Sequence, residues 1–304
     1  MPFSVESENF IGSSKSRHWI DSHCHFDFDK FHSDRESHWQ LLQRFGCTGL
    51  VIPGVVAETW QSLIELCADK PWGYALGLHP YFLEQHHEGD LQRLESMCFE
   101  QRAKLYPDSA LGSNRESNQG SKLVAIGEFG LDLMLAESGH EQQAELCRQQ
   151  FLIAEKLNLP VILHIRKAYD EVAAMIRRIG FDQGGIVHGF SGSYQQGMVM
   201  VGLGFKLGIG GAMSHPRARK LRATIARLPL SSLVLETDAP DMKPAFWQGP
   251  DNSPLSLLLL AQIVASLHRC HLDDVLFSSN NNVLTVMPKF KSVLPESLIQ
   301  HFTE

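Results

Sequence analysis

Leu123-Val124-Ala125-Ile126-Gly127-Glu128 and Pro160-Val161-Ile162-Leu163-His164 are two short apolar runs, each closing on a residue of metal-ligand type. Between them, residues 141–157 carry Leu146, Gln150, Ile153, Ala154 and Leu157 at helical spacing. Apolar runs without polar alternation are expected of parallel strands, which are covered outside by helices and packed inside. Strand, helix, strand is therefore the local unit, and the rest of the chain repeats it.

Working outward, eight strand-like segments can be counted: 18–25, 49–56, 74–79, 123–129, 160–165, 185–190, 205–211 and 233–238. Helical patterns separate them. Residues 34–45 carry Trp39, Leu41, Leu42 and Phe45, and residues 58–68 carry Trp60, Leu63, Ile64 and Leu66. Ser193-Tyr194-Gln195-Gln196 has the form of a capping box. Ser214-His215-Pro216 has that of an N-cap with proline in the first turn. Strict alternation of this kind predicts an α/β fold, a single (β/α)8 TIM barrel. An open doubly wound sheet finds no support, because no Gly-x-Gly-x-x-Gly follows the first strand.

The 304 residues divide into a polar, serine-rich extension at 1–17 and a barrel domain at 18–304 with a Ser-, Asn- and Gly-rich insertion at 106–122. The formal net charge of −7 argues against a broad basic surface for nucleic acid. It leaves a nuclease open, since metal ions can supply positive charge locally. Six scattered cysteines with no Cys-x-x-Cys pair read as buried thiols of a reducing compartment, Cys24 among them. The N-terminus lacks the basic start and apolar core of a secretion signal. The longest apolar stretch, 255–267, is too short to span a bilayer and reads as a largely buried helix. These features predict a cytoplasmic monomer with no membrane contact and no obligate protein partner.

The chemistry lies at the strand ends. His23-Cys24-His25 closes the first strand, and alternation would put both imidazoles on one face. Alone, a His-x-His is weak. Here Glu128, His164, His188 and Asp238 each close or follow a later apolar run. In a parallel barrel the carboxyl ends of the strands converge on one mouth. Four imidazoles and two carboxylates exceed one tetrahedral site. They fit two adjacent divalent ions, with Glu128 as the bridge because it lies midway in strand order. His23, His25 and Asp238 are then placed on the first ion, His164 and His188 on the second. Such a pair, about 3.5–4 Å apart, stabilises charge on both the attacking and the leaving oxygen. Asp238 would orient or deprotonate the attacking water, or serve as a ligand alone.

Around this set, His79 before Pro80 faces the same mouth and is a candidate for binding a substrate phosphate, against a purely structural role. Arg166 could pair with phosphate or be a surface arginine. Asp132 could contact a ligand histidine or orient a loop. Asp241 and Asn252 read as structural, and His86, His87 and the other histidines as surface or packing residues. Arg217, Arg219, Lys220 and Arg222 form a basic run, which is ordinarily a solvated helix face but could touch a nucleic-acid backbone.

The strings Asp21-Ser22-His23-Cys24-His25, Gly77-Leu78-His79-Pro80, Gly127-Glu128-Phe129-Gly130-Leu131-Asp132, Val187-His188-Gly189-Phe190-Ser191-Gly192 and Leu235-Glu236-Thr237-Asp238-Ala239-Pro240 occur in that order. Together they resemble the TatD family of metal-dependent hydrolases, over roughly residues 18–290. The resemblance implies a TIM barrel, a dinuclear centre ligated by His23, His25, Glu128, His164, His188 and Asp238, and phosphodiester hydrolysis of DNA. Leu133, Gly189 and Tyr81 depart from residues common in the family, all at the mouth. Imidazoles suit zinc, manganese or nickel by softness, whereas the family's nucleases are commonly supported by magnesium. The leading expectation is a metal-dependent deoxyribonuclease, acting on DNA or another phosphodiester and trimming from an end. The alternatives are an amide or ester hydrolase of a small metabolite, and a non-catalytic metal-dependent DNA-binding protein.

Overall fold

The computed structural model describes residues 17–103 and 120–299. The expected extension and insertion lie almost wholly outside them. Eight parallel strands form one sheet in sequence order: β1 Trp19–Asp21, β2 Cys47–Pro53, β3 Trp72–Leu76, β4 Leu123–Asp132, β5 Val161–Arg166, β6 Gly185–His188, β7 Phe205–Ile209 and β8 Leu233–Leu235. Between and after them run α1 Arg35–Arg44, α2 Trp60–Cys67, α3 Asp90–Ala103, α4 His140–Leu157, α5 Tyr169–Ile179, α6 Tyr194–Gly202, α7 Arg219–Ile225, α8 Leu257–His268, α9 Leu272–Val286 and α10 Glu296–Ile299. The TIM barrel expected from the alternation is the architecture observed.

The barrel closes between its first and last strands at a seam that needs help. Ser22 N donates to Leu235 O (3.1 Å), and Asp238 N donates to His23 O (2.9 Å). Polar side chains of α9 take up the strand groups that are left. Asn280 Oδ1 accepts from Ile20 N (3.0 Å) while its Nδ2 donates to His18 O (2.9 Å). Ser279 Oγ accepts from Leu235 N (2.8 Å), and Asn282 Nδ2 donates to Leu233 O (2.7 Å). Buried backbone groups must be paired, so Ser279, Asn280 and Asn282 do here what a strand ladder does elsewhere.

Two apolar layers follow from the strand faces. Ile20, Val51, Ala75, Val124, Ile162, Ile186 and Val234 fill the barrel, which Met287 and Phe290 plug at one end. Gly49 and Gly73 leave room for that plug, since a Cβ on either would lie within 3 Å of the Phe290 ring. Trp19, Trp60, Trp72, Phe129, Phe151 and Phe205 fill the outer layer between strands and helices. Cys24, Cys47, Cys67, Cys98 and Cys147 are free, buried thiols.

Several boundaries differ from the sequence reading. β1, β3 and β8 stop two or more residues before His23, His79 and Asp238, because the chain leaves the ladder as it turns over the mouth. The capping box at Ser193 and Gln196 is present and starts α6. Ser214 is not an N-cap: it ends a 3-10 turn, and α7 begins only at Arg219. The Ser214 hydroxyl instead donates to Gly211 O (2.6 Å) and accepts from Ala245 N (2.8 Å). The apolar stretch forms α8, which buries Leu257, Leu260, Ala261 and Val264 but leaves Leu259 52% exposed. Among the described residues no single helix is long and apolar enough to cross a membrane.

Candidate metal centre

His23 and His25 come together by a route other than strand alternation. Both lie past the end of β1, on a segment pinned on each side. Cys24 N donates to Val51 O (3.1 Å), and His25 N donates to Ala239 O (2.9 Å). Asp21 ties the same segment to the far side of the seam. Its Oδ1 accepts from His23 N (3.2 Å) and Thr237 N (3.1 Å), and its Oδ2 from Thr237 Oγ1 (2.5 Å). Burial pushes the Asp21 carboxyl up to about 7, against those hydrogen bonds.

Glu128 stands at the middle of the mouth, 1% exposed, with its two oxygens facing different groups. Oε2 lies 3.1 Å from His23 Nε2 and 3.6 Å from His25 Nε2. Asp238 Oδ1 completes that group at 3.4 Å from each of the same nitrogens. Ligand atoms about 2.0–2.2 Å from one ion in a tetrahedral set stand about 3.3–3.6 Å apart, close to these N···O distances, and His23, His25 and Asp238 form one group able to hold a cation, His79, Glu128 and His164 another. Oε1 lies 3.2 Å from both His164 Nδ1 and His79 Nε2, and 3.9 Å from His188 Nε2. His188 also stacks on His23, with ring centroids 3.8 Å apart, and its Nε2 is 3.7 Å from Asp238 Oδ2. Both ring nitrogens of His23 are buried without a hydrogen-bond partner. Unsatisfied imidazole nitrogens converging on carboxylate oxygens are the donor set of a divalent-cation site.

The remote nitrogen of each ring separates the roles. His164 Nε2 lies 3.1 Å from Asp132 Oδ2, which holds a proton on that nitrogen and leaves Nδ1, 3.2 Å from Glu128 Oε1, as the atom a cation would displace a proton from. His188 Nδ1 lies 3.1 Å from Glu236 Oε1, an ion-pair contact without hydrogen-bond geometry, and its Nε2 faces the centre. His79 is the opposite case. Its Nδ1 accepts from Tyr81 N (3.0 Å), so the proton of the neutral ring sits on Nε2, a donor aimed at the centre and not a lone pair. Burial lowers the His79 pKa to about 4, despite the neighbouring Glu128 charge, so the ring is neutral at pH 7.

Electrostatics hold the carboxylates ionised. Burial would raise Glu128 and Asp238. For Glu128 it is outweighed by His23, His79, His188 and a hydrogen bond from His164, and for Asp238 by His188, His23 and His25. Both therefore sit well below the usual carboxylate range. Burial would conversely lower His164, but Asp132 and Glu128 lift it to about 9. Without metal, protons fill the charge that a divalent ion would supply. Asp238 adopts a left-handed backbone (φ 56°), which costs a non-glycine residue about 1 kcal/mol or more and turns the carboxylate back over the mouth.

All six sequence-selected strand-end residues meet at this mouth, with His79 beside them. Arg166 is at its rim, its Nη1 donating to Asp132 Oδ2 (3.3 Å) and its side chain 53% exposed. Four further residues escaped the sequence reading. Glu236 is fully buried against His188, and Asp21 laces the seam. Gln150 of α4 accepts from Leu78 N (2.7 Å) and donates to Leu78 O (3.1 Å), setting the backbone before His79. Gln143, one heptad earlier, does the same for Asp132. The available signal was a glutamine on the core stripe of an amphipathic helix, where a polar group must have a partner. Asn252, read as structural, donates to Thr237 O (2.8 Å) and Asp241 O (2.9 Å) and so fixes the loop beyond β8.

Comparison with known proteins places this geometry. Residues 20–288 match the family model described as TatD related DNase. The chain is 38% identical over 269 residues to the uncharacterized metal-dependent hydrolase YjjV of Escherichia coli, covering 88% of this chain and 97% of that protein. It is 30% identical over 220 residues to the 3'-5' ssDNA/RNA exonuclease TatD of Pantoea ananatis, covering 71% and 76%. The crystal structure of Escherichia coli YjjV superposes with a TM-score of 0.80 at 37% identity, over 90% of this chain and 98% of that one.

Proposed function

The chain belongs to the TatD family of metal-dependent hydrolases, and from that premise we propose that it cleaves phosphodiester bonds of DNA, working inward from a strand end. The observation that carries the reading is Glu128, whose two oxygens face two separate sets of imidazoles across one mouth. His23, His25 and Asp238 would hold one divalent ion and His164 and His188 a second, with Glu128 between them; magnesium, manganese and zinc all suit such a mixed set. When bound, the ions would make water a stronger nucleophile and neutralise charge on the attacking and leaving oxygens.

The protein's own groups do the rest. Asp132 and Glu236 orient His164 and His188 through their remote nitrogens. Asp238, ionised and 12% exposed, accepts the proton of the attacking water at Oδ2, the oxygen farther from His23 and His25. His79 donates a hydrogen bond from Nε2 to a non-bridging phosphate oxygen, and Arg166 adds a charge-assisted hydrogen bond from the rim. Relatives named as 3'-5' exonucleases support attack at an end.

The test is an oligonucleotide assay on the purified protein with magnesium, manganese or zinc, using end-labelled linear and circular single strands, beside metal analysis. Linear strands should shorten and circles persist. His23→Ala and Asp238→Asn should each abolish cleavage; full activity in either refutes the assignment. Turnover of an ester or cyclic amide without phosphodiester cleavage would favour the small-metabolite reading instead.

A further inference from the structure

The basic run after β7 divides in two. Arg222 is consumed by the fold: its Nη1 donates to Met213 O (2.8 Å) and His215 O (2.7 Å), and its Nη2 to Pro216 O (3.1 Å). Those bonds fix the loop that carries Arg217. The Arg217 side chain has no hydrogen-bond or ion-pair partner among the described residues, and it lines a cleft of about 490 Å³. His215 and Lys243 line it too, the latter spending one of its three donors on Gly249 O (3.2 Å). Leu221 and Met242 give the cleft an apolar floor, and no carboxylate lines it. In a chain of net charge −7, whose catalytic mouth is built on carboxylates, a cleft with cations and no acid stands out.

The cleft adjoins the metal centre. Asp241 N closes a turn onto Asp238 O (2.8 Å), and the next residue, Met242, is itself left-handed (φ 45°). That turn lays Met242 over the ends of β6 and β7. Its Sδ lies 3.8 Å from where a Cβ of Gly189 would be, and Gly189 follows His188. A Cβ at Gly211 would meet Met242 O at 2.0 Å, so only glycine allows this approach. The floor of the cleft is thus continuous with the segments that carry His188 and Asp238.

We propose that this cleft is the subsite for the nucleotide next to the scissile phosphodiester of a single-stranded polynucleotide. Its phosphate is met by Arg217, Lys243 and His215, and its sugar and base lie on Leu221 and Met242. The volume falls in the range of about 300–1,000 Å³ usual for ligand pockets, and suits one nucleotide better than a duplex. The inference rests on the phosphodiesterase reading and deepens it: the negative chain tolerates a polyanion because its cations are gathered beside the centre. Basic side chains on phosphate act through charge and counterion release, which makes the contact salt-dependent.

The experiment compares the parent with Arg217→Ala/Lys243→Ala on two probes, a single-stranded tetranucleotide and bis(p-nitrophenyl) phosphate, which has no neighbouring phosphate. The ratio of kcat/KM for the tetranucleotide over the small diester should fall about tenfold, and the salt dependence of the tetranucleotide KM should flatten. Arg217→Lys/Lys243→Arg should restore most of the ratio. An unchanged ratio, whether both rates hold or both fall together, overturns the subsite. Should the parent hydrolyse neither probe, the phosphodiesterase reading fails by itself. Fluorescence anisotropy of a labelled tetranucleotide then decides the subsite: weaker binding in the double variant sustains it, and equal binding overturns it.

Discussion

Gly208 lies on β7, touches no proposed ligand and is nonetheless expected to control metal affinity. A Cβ at Gly208 would sit 2.0 Å from Glu236 Oε2 and 2.5 Å from its Cδ. Ordinary contact begins near 3.4 Å, so Gly208→Ala must displace a fully buried carboxylate by about 1.4 Å. Glu236 Oε1 accepts from Gly189 N at 2.6 Å and faces His188 Nδ1 at 3.1 Å, and neither contact survives such a shift. Losing a charge-assisted hydrogen bond costs about 1.5–3 kcal/mol, and overpacking adds about 1–3 kcal/mol. For the metal, removal of the group that orients a ligand histidine typically weakens binding about 10–100-fold, equivalent to about 1.4–2.7 kcal/mol. Titration calorimetry with manganese or zinc should show that loss in Gly208→Ala and, by removing the charge in place, in Glu236→Gln. Both variants should keep a folded circular-dichroism spectrum. Parent-like affinity in both would refute the claim that Glu236 orients His188.

Three other outcomes follow from the same contacts. Asp132→Asn removes the charged acceptor of His164 Nε2 and should also weaken metal binding about 10–100-fold by calorimetry. Phe290→Ala empties the plug of the barrel and should lower stability by about 3–5 kcal/mol in urea unfolding, with metal affinity retained. His38 packs edge-on to Phe26 and Phe31 with Nε2 2.8 Å from Ser253 Oγ, and burial holds its pKa below the ordinary 6.5. Its contribution to stability is therefore complete above 6.5 and is lost as the pH falls through the lowered value. His38→Gln should flatten the fall in melting temperature between pH 7 and pH 5.

The barrel could be read from the sequence because apolar strands and amphipathic helices are periodic, as residues 123–164 show. Strand ends were less legible. β1 stops at Asp21, and no period marks where hydrogen bonding passes from the ladder to Asp21, Thr237 and the polar face of α9. The strand-end imidazoles and acids were legible because each closes an apolar run. The roles of Gln143 and Gln150 were not, because helical spacing puts Gln150 on the core stripe without naming the backbone groups that either glutamine bonds. Glu236 was hidden for a related reason. It sits two residues before Asp238 in the same string, and Gly208 on the neighbouring strand opens the space that receives its carboxylate.

Three histidines at the mouth present the same residue type to Glu128 Oε1, and the sequence has no means of telling them apart. The difference is made on the far side of each ring. Asp132 accepts the outward proton of His164, which leaves Nδ1 to be offered to a cation, while Glu236 stands 3.1 Å behind His188 Nδ1 and Nε2 faces inward. A backbone N–H behind His79 does the reverse: Tyr81 N occupies Nδ1, and the proton points inward. Proline at position 80 and the turn after it set that amide in place. A ring that donates inward is suited to phosphate oxygen, and rings that offer lone pairs are suited to cations, so one mouth can carry both. Replacing His79 by alanine, which removes the inward donor, should therefore raise the KM for substrate far more than it weakens the metal. The converse pattern, metal lost and KM unchanged, would show that the proton sits on the other nitrogen.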